Sequence, residues 1–159
     1  MARISLRTAR PSDDRLTWGW VRHPSVWKQS LYGTPIPWKT HREWFSRVLT
    51  RAGSEYIIAE SPKGRPIGQV RFERAGMRAE VSIVIARESR GQGLGTRVLK
   101  AACARHFRGK SSPPILAHIR PGNAGSVRAF LAAGFRVTGM VSQKGIPCFR
   151  LARARAGRP

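Results

Sequence analysis

Acidic side chains are scarce in this sequence. Eight Asp and Glu face thirty Lys and Arg across 159 residues, leaving a net charge of +22 with histidine neutral. Such an excess favours polyanionic company: nucleic acid, an acidic membrane surface or a phosphorylated small molecule. The arginines are scattered rather than gathered in one stripe, so a solvated basic surface accounts for them equally well. Cysteine is nearly absent. Cys103 and Cys148 stand in unrelated contexts without metal-ligand spacing, which argues against a metal centre and a disulfide framework and leaves two reduced thiols. No apolar run approaches the roughly 18 residues of a membrane span. The start, "MARISLRTARPSDD", has no apolar stretch of the kind a secretory signal carries, so a cytoplasmic location is expected. Tyrosine occurs only twice, at Tyr32 and Tyr56.

What is present suffices for one domain over residues 1–152, followed by a basic tail at 153–159. A hydrophobic fraction of 41% and five Trp can build a core in a chain of this length. "RISLRTA" alternates as a strand does. "PSDDRLTWGWV" reads as a helix with Ser12 as its N-cap. "RHPSVWKQSLYGTPIP" reads as a structured loop with room for a helical turn. Thr40 and Glu43 have capping-box spacing before a second helix that buries Trp44, Phe45, Val48 and Leu49. "SEYIIAE", "IGQVRFER" and "MRAEVSIVIA" are joined by connections too short for crossovers, which predicts an antiparallel meander. A third helix follows, with Leu94, Val98, Leu99, Ala102 and Cys103 on one face, then the strand "PPILAHIR". A fourth helix over Asn123–Ala133 stops at Gly134, and "FRVTGMVS" and "IPCFRLAR" close the chain as strands. The expected class is α+β, a mostly antiparallel mixed sheet of about seven strands with four helices.

Between the meander and the third helix lies "ESRGQGLGTRVL", with glycines at 91, 93 and 95. Strand, glycine turn and helix in that order can gather backbone N–H groups and a helix N-terminus in front of an anion. The Lys-Ser/Thr pair of a P-loop is missing, and the glycine spacing is not that of a dinucleotide fold. A tight turn without ligand stays open on these residues alone. Beyond the next strand comes "NAGSVRAFLAAGF". Together, Arg90-x-x-Gly93-x-Gly95 and Asn123-x-x-Ser126-x-x-x-Phe130-x-x-x-Gly134-Phe135 resemble the GNAT family of acetyl-CoA-dependent N-acetyltransferases, and the likeness runs through essentially the whole chain.

That resemblance implies a fold whose fourth and fifth strands splay apart, with the pantetheine of acetyl-CoA along the backbone of Ile83, Val84 and Ile85. It places the cofactor's pyrophosphate in the turn formed by Arg90, Gly91, Gln92, Gly93, Leu94, Gly95 and Thr96. The N–H groups and the dipole of the following helix suit that charge, and a Cβ at Gly93 or Gly95 is expected to crowd it. Asn123 would bond the pantetheine arm and Ser126 the phosphate end; capping of the fourth helix is the alternative role for both. The transfer needs a neutral amine, a donor for the developing oxyanion, expected at a backbone N–H near Val84, and a proton for the departing thiolate. Family members often use a Tyr on the fourth helix as that acid, and here the position is Phe130. Glu80 is the expected base, with Ser82 on the same strand face as a water relay.

The acceptor is read from the N-terminal half, which resembles the subgroup acetylating nucleotide-linked amino sugars. Trp20-Val21-Arg22-His23-Pro24, then Ile36, His41 and Trp44, carry that likeness. Trp20, Arg22, His23 and His41 are therefore expected to touch the acceptor, an anionic small-molecule amine. His118 could also reach it, whereas His106 looks structural. Non-specific nucleic-acid binding and a homodimer stay open as further partnerships. So do two other functions: acetylation of a protein N-terminus or lysine, and an idle nucleic-acid-binding domain of this fold.

Overall fold

A computed structural model describes residues 2–156. Its strands are β1 (Ser5–Thr8), β2 (Ser54–Glu60), β3 (Pro66–Ala75), β4 (Arg78–Ile85), β5 (Ile115–Ile119), β6 (Arg136–Gln143) and β7 (Ile146–Arg153). They form one sheet in the order β1-β2-β3-β4-β5-β7-β6. Every neighbouring pair is antiparallel except β4 and β5. The α+β class and the seven strands match the sequence reading. The helices are α1 (Asp14–Val21), α2 (Pro24–Trp27), α3 (Trp38–Thr50), α4 (Leu94–His106) and α5 (Ala124–Ala132). The fifth, not counted from sequence, is the single-turn α2. It starts at Pro24, whose fixed φ suits a first helical position, and His23 caps it through Ser25 N–H.

Period-2 alternation sorts the strands onto two cores. One face carries Ile57, Val70, Phe72, Val81, Ile115, Ala117 and Leu151 against Val98, Leu99 and Cys103 of α4 and Phe130 of α5. The other carries Ala9, Tyr56 and Ile58 against Phe45 and Val48 of α3. Full burial of such a side chain is worth about 1.5–3 kcal/mol, so the helices are held by these stripes rather than by their caps.

Two cap assignments read from sequence are corrected. Ser12 does not cap α1: Pro11–Asp13 form a 3₁₀ turn, and Asp13 accepts the Arg10 N–H at 2.7 Å. The Asp13 carboxylate also pairs with Arg7 at 2.7 Å, and Arg7 reaches Glu60 at 2.6 Å. These bonds outweigh the burial that would raise the Asp13 carboxyl and hold it below its usual range. Thr40 and Glu43 form no capping box, because α3 begins two residues earlier at Trp38 with Pro37 in the cap position. Arg153 closes β7 opposite Ile115, with its guanidinium over the Phe107 ring, and residues 157–159 lie outside the described part. Among the described residues no helix is long and apolar enough to cross a membrane. Both cysteines are free and buried.

Candidate active site

β4 and β5 pair at two positions only, Ala79 with Ile115 and Glu80 with Leu116. Beyond Glu80 the strands part and a gap opens toward Ile85. The peptide groups facing this gap follow from antiparallel alternation. Ala86 N–H bonds Ile67 C=O on the β3 side, whereas Ala79 N–H bonds Pro114 C=O on the β5 side. The peptide groups of Val84 and Ser82 therefore turn to β3, and those of Val81, Ile83 and Ile85 turn to the gap. A Cβ at Gly68 would lie 2.6 Å from the Val84 carbonyl oxygen, which locates that carbonyl on β3 and gives a packing reason for Gly68. This refines the expectation from sequence: the peptide group of Ile83 and the N–H of Ile85 face the gap, the Ile85 carbonyl accepts from Arg90, and the N–H of Val84 turns away.

At the open end of the gap stands the glycine turn. Gly91 and Gly93 have φ of 75° and 69°, a left-handed conformation that costs other L-residues roughly 1–2 kcal/mol. Gly93 is the N-cap of α4, and the first helical bond there runs from Arg97 N–H to Gly93 C=O at 3.3 Å. The N–H groups of Leu94, Gly95 and Thr96 are thus the unpaired donors of a helix start, aimed where an anion would be stabilised. Gly95 differs from Gly93. A Cβ there meets Ile85 at 3.7 Å and Ala129 at 4.0 Å, ordinary contacts within the protein. Within the protein itself, conformation requires glycine at 93, and packing permits alanine at 95. Arg90 folds back from the turn, donating from Nε to Ile85 C=O at 2.9 Å and from Nη1 to Ser25 Oγ at 2.8 Å. Gln92 reaches back to Glu88 C=O. Asn123 caps α5, its Oδ1 accepting the Ser126 N–H at 3.4 Å. Gly95 faces Ala129 of α5, so the helices that follow the two motifs pack against each other.

On the opposite face of the sheet, at the point where the gap closes, lie Glu80 and Ser82. Cross-strand pairing sets Glu73 beside Glu80 and Arg71 beside Ser82. Arg71 lies over the Trp44 ring at 4.7 Å and bonds Glu73 at 3.1 Å. His118 of β5 joins Glu80, with Nδ1 3.0 Å from Oε1, and Gln143 of β6 lies 3.2 Å from His118 Nε2. Sequence analysis missed this pairing with Gln143, because nothing local connects three strands. Across this face runs the segment 28–37. Ser30 C=O accepts from Arg120 at 3.0 and 2.6 Å, and Lys144 sits 3.7 Å from the Tyr32 ring centroid.

Other expected acceptor residues have structural partners. His41 is 1% exposed, with Nε2 3.1 Å from Thr17 Oγ1 and its ring stacked on Phe45, so it belongs to the second core rather than to an acceptor pocket. Burial lowers its affinity for a proton. His23 Nδ1 caps α2, and its Nε2 lies 3.4 Å from Arg87 Nη1. Trp20 packs on the second core, and Arg22 stacks over Trp18 at 4.6 Å. His106 stacks on Phe72, the structural role anticipated. Phe130 is 2% exposed and packs edge-on against Phe135. Tyr56 is buried with its hydroxyl donating to Gln69, and burial pushes its pKa far up. Tyr32 is the exposed tyrosine, at 64%.

A sheet that splits after two parallel pairs, with a glycine turn and a helix N-terminus at the mouth, is the architecture of an acyl-CoA-dependent transferase. The sequence pattern of the acetyltransferase (GNAT) domain matches residues 3–136, and the chain belongs to that family. It is an acetyl-CoA-dependent N-acetyltransferase. Two L-methionine sulfoximine/L-methionine sulfone acetyltransferases, from Pseudomonas paraeruginosa and Pseudomonas aeruginosa, are 27% identical over 127 residues, 76% of this chain and 70% of theirs. Among solved structures, the aminoglycoside acetyltransferase AAC(6')-Ib in complex with coenzyme A superposes with a TM-score of 0.83 at 20% identity, over 96% of this chain and 95% of that one. The spermidine N-acetyltransferase of Vibrio cholerae with CoA and spermine gives 0.83 at 17% identity, over 94% of each chain.

Proposed function

We propose that the acceptor is a small primary amine whose carrier also bears an anionic group. The observation that carries this reading is the charge arrangement on the acceptor face. Glu80 stands where the gap closes, while Arg71, Arg120 and Lys144 border the same face. A polycation such as spermine would approach a chain of net charge +22 against that field. An α-amino acid, the acceptor class of the Pseudomonas relatives, offers a carboxylate beside its amine. A nucleotide-linked amino sugar, favoured by the N-terminal motif, offers a diphosphate.

Acetyl-CoA, when bound, supplies an acyl group activated as a thioester. The gap suits it: Ile83 and the Ile85 N–H would bond an extended arm, and the Gly93 turn would present three N–H donors to a diphosphate. Asn123 and Ser126 would add contacts from the start of α5, and Arg90 can add charge when it leaves Ser25. On the acceptor side, Glu80 takes the ammonium proton directly or through a water held by Ser82, which leaves the amine lone pair free to attack. The Ile83 N–H is the nearest gap-facing donor for negative charge developing on the acyl oxygen. Phe130 has no proton to give, so the thiolate is protonated from solvent.

Release of free thiol from acetyl-CoA is to be measured with L-methionine sulfoximine, a UDP-linked amino sugar, spermidine and kanamycin. The expected result is turnover with one of the first two and a KM that rises with ionic strength, since screening shortens to about 8 Å near 0.15 M salt. Spermidine or kanamycin as the best acceptor would overturn the anionic reading.

A further inference from the structure

Glu80 is one of eight acids among thirty cationic side chains, and a carboxylate so placed is at risk of capture by an arginine. Arg71 lies diagonal to it across β3 and β4, and Arg78 shares its strand face two residues earlier, where side chains start roughly 7–8 Å apart and long ones can meet. An ion pair there would occupy the oxygen needed to accept the substrate's proton.

Arg71 is taken by Glu73 and the Trp44 ring instead, and Glu80 is held from its other side. His118 is 8% exposed at its side chain and Glu80 is 43% exposed, so a buried imidazole grips a half-open carboxylate. An ionised carboxylate only accepts hydrogen bonds. Nδ1 of His118, 3.0 Å from Glu80 Oε1, therefore carries the proton. In a neutral imidazole Nε2 is then an acceptor, and the Gln143 amide nitrogen 3.2 Å away is the donor it requires. Each group thus has a complementary partner, and the chain of bonds runs from β6 through β5 to β4. Among the described residues Glu80 Oε2 has no hydrogen-bond partner. The ring engages Oε1 alone, whereas a guanidinium fork could take both oxygens.

We propose that His118 and Gln143 are positioning residues for this acetyltransferase: Gln143 sets the His118 tautomer, and His118 holds Glu80 Oε1 so that Oε2 is left open to the amine. The proposal rests on the reading of Glu80 as the proton acceptor. His118 and Gln143 themselves touch no reacting atom.

Two measurements on the full chain test it. The first is ¹⁵N NMR of the His118 ring in the wild-type protein. The expected tautomer carries its proton on Nδ1, and Gln143→Glu, which replaces the amide donor with an acceptor, should add a proton at Nε2. A wild-type ring protonated on Nε2 alone overturns the proposal. The second is a double-mutant cycle on acetyl transfer. His118→Ala should lower kcat at least tenfold with the acetyl-CoA Kd unchanged. His118→Gln, whose amide can still donate to Glu80, should recover part of that loss. In a Glu80→Gln background, His118→Ala should change kcat less than twofold, because residues acting as a unit are non-additive. An equal loss in both backgrounds means that His118 supports only the fold, and that overturns the proposal. If Glu80→Gln keeps full kcat, the reading of Glu80 fails instead. The NMR result then still decides whether His118 and Gln143 hold the carboxylate as described.

Discussion

Gly93 and Gly95 sit two residues apart in one turn, and the structure predicts different consequences for the same substitution at each. At Gly93 the φ of 69° is left-handed and a Cβ would meet no atom of the protein within 4 Å. Gly93→Ala therefore carries backbone strain of roughly 1–2 kcal/mol with no packing to offset it. In a chain of this size, 1 kcal/mol moves Tm by about 2–4 °C, so a loss of about 2–8 °C is expected without ligand. Relief of that strain by a changed φ would rotate the first N–H groups of α4 away from the phosphate site. Calorimetry should then show acetyl-CoA binding at least tenfold weaker, about 1.4 kcal/mol. At Gly95 the new Cβ meets Ile85 and Ala129 at 3.7 and 4.0 Å, contacts that need no adjustment, and the residue lies in the first turn of α4. Alanine in place of glycine in a helix is worth up to about 1 kcal/mol. Gly95→Ala should raise Tm slightly and leave the Kd within about threefold, whereas the larger Gly95→Val should weaken binding by tenfold or more. A folded Gly93→Ala protein with unchanged affinity, or a Gly95→Ala protein that loses more affinity than Gly93→Ala, would refute this account of the turn.

Glu80→Gln should reduce kcat at least tenfold at neutral pH while sparing acetyl-CoA binding, because general-base contributions are about 10²- to 10⁴-fold; wild-type kcat in this variant would remove Glu80 from the chemistry. Phe130→Leu should cost about 1–2 kcal/mol of stability yet leave kcat within twofold, and thermal melts beside steady-state rates will separate the two. His41 is held by burial below its ordinary 6.5. The unfolded chain consequently takes up this proton first, and the contribution is lost as pH falls below about 6.5 until folded His41 also protonates. Melting followed from pH 7 to pH 5 should show that decline in the wild type and a flatter one in His41→Gln; parallel declines would assign it to another group.

Local chemistry made most of the elements legible. Alternation in "SEYIIAE" and "AEVSIVIA" announced strands because side chains on a pleated strand point to opposite faces. The glycines at 91 and 93 announced a turn because other residues rarely adopt its φ. Their order along the chain, with Asn123 and Ser126 following one strand later, was enough for the family. The caps were misjudged for an equally local reason. Ser12 and Thr40 have the right side chains, but Asp13 is claimed by Arg7 six residues back, and Trp38 at the start of α3 packs on Trp18.

What tertiary structure alone decided is the meeting of distant residues. Whether His41 faces a substrate or a core depends on Thr17, 24 positions away on another helix, and no periodicity within α3 distinguishes the two. The gap-facing peptide group of Ile83 and the N–H of Ile85 lack a strand partner because β5 leaves β4 after Leu116, a matter of strand direction rather than composition. Glu80 and His118 are 38 residues apart. Their pairing follows from the register of two parallel strands, and a slip of one residue would turn His118 to the opposite face of the sheet. Sequence alone determined the family, the elements and the glycine turn, since each is written in consecutive residues; the aim of the carboxylate depended on the sheet.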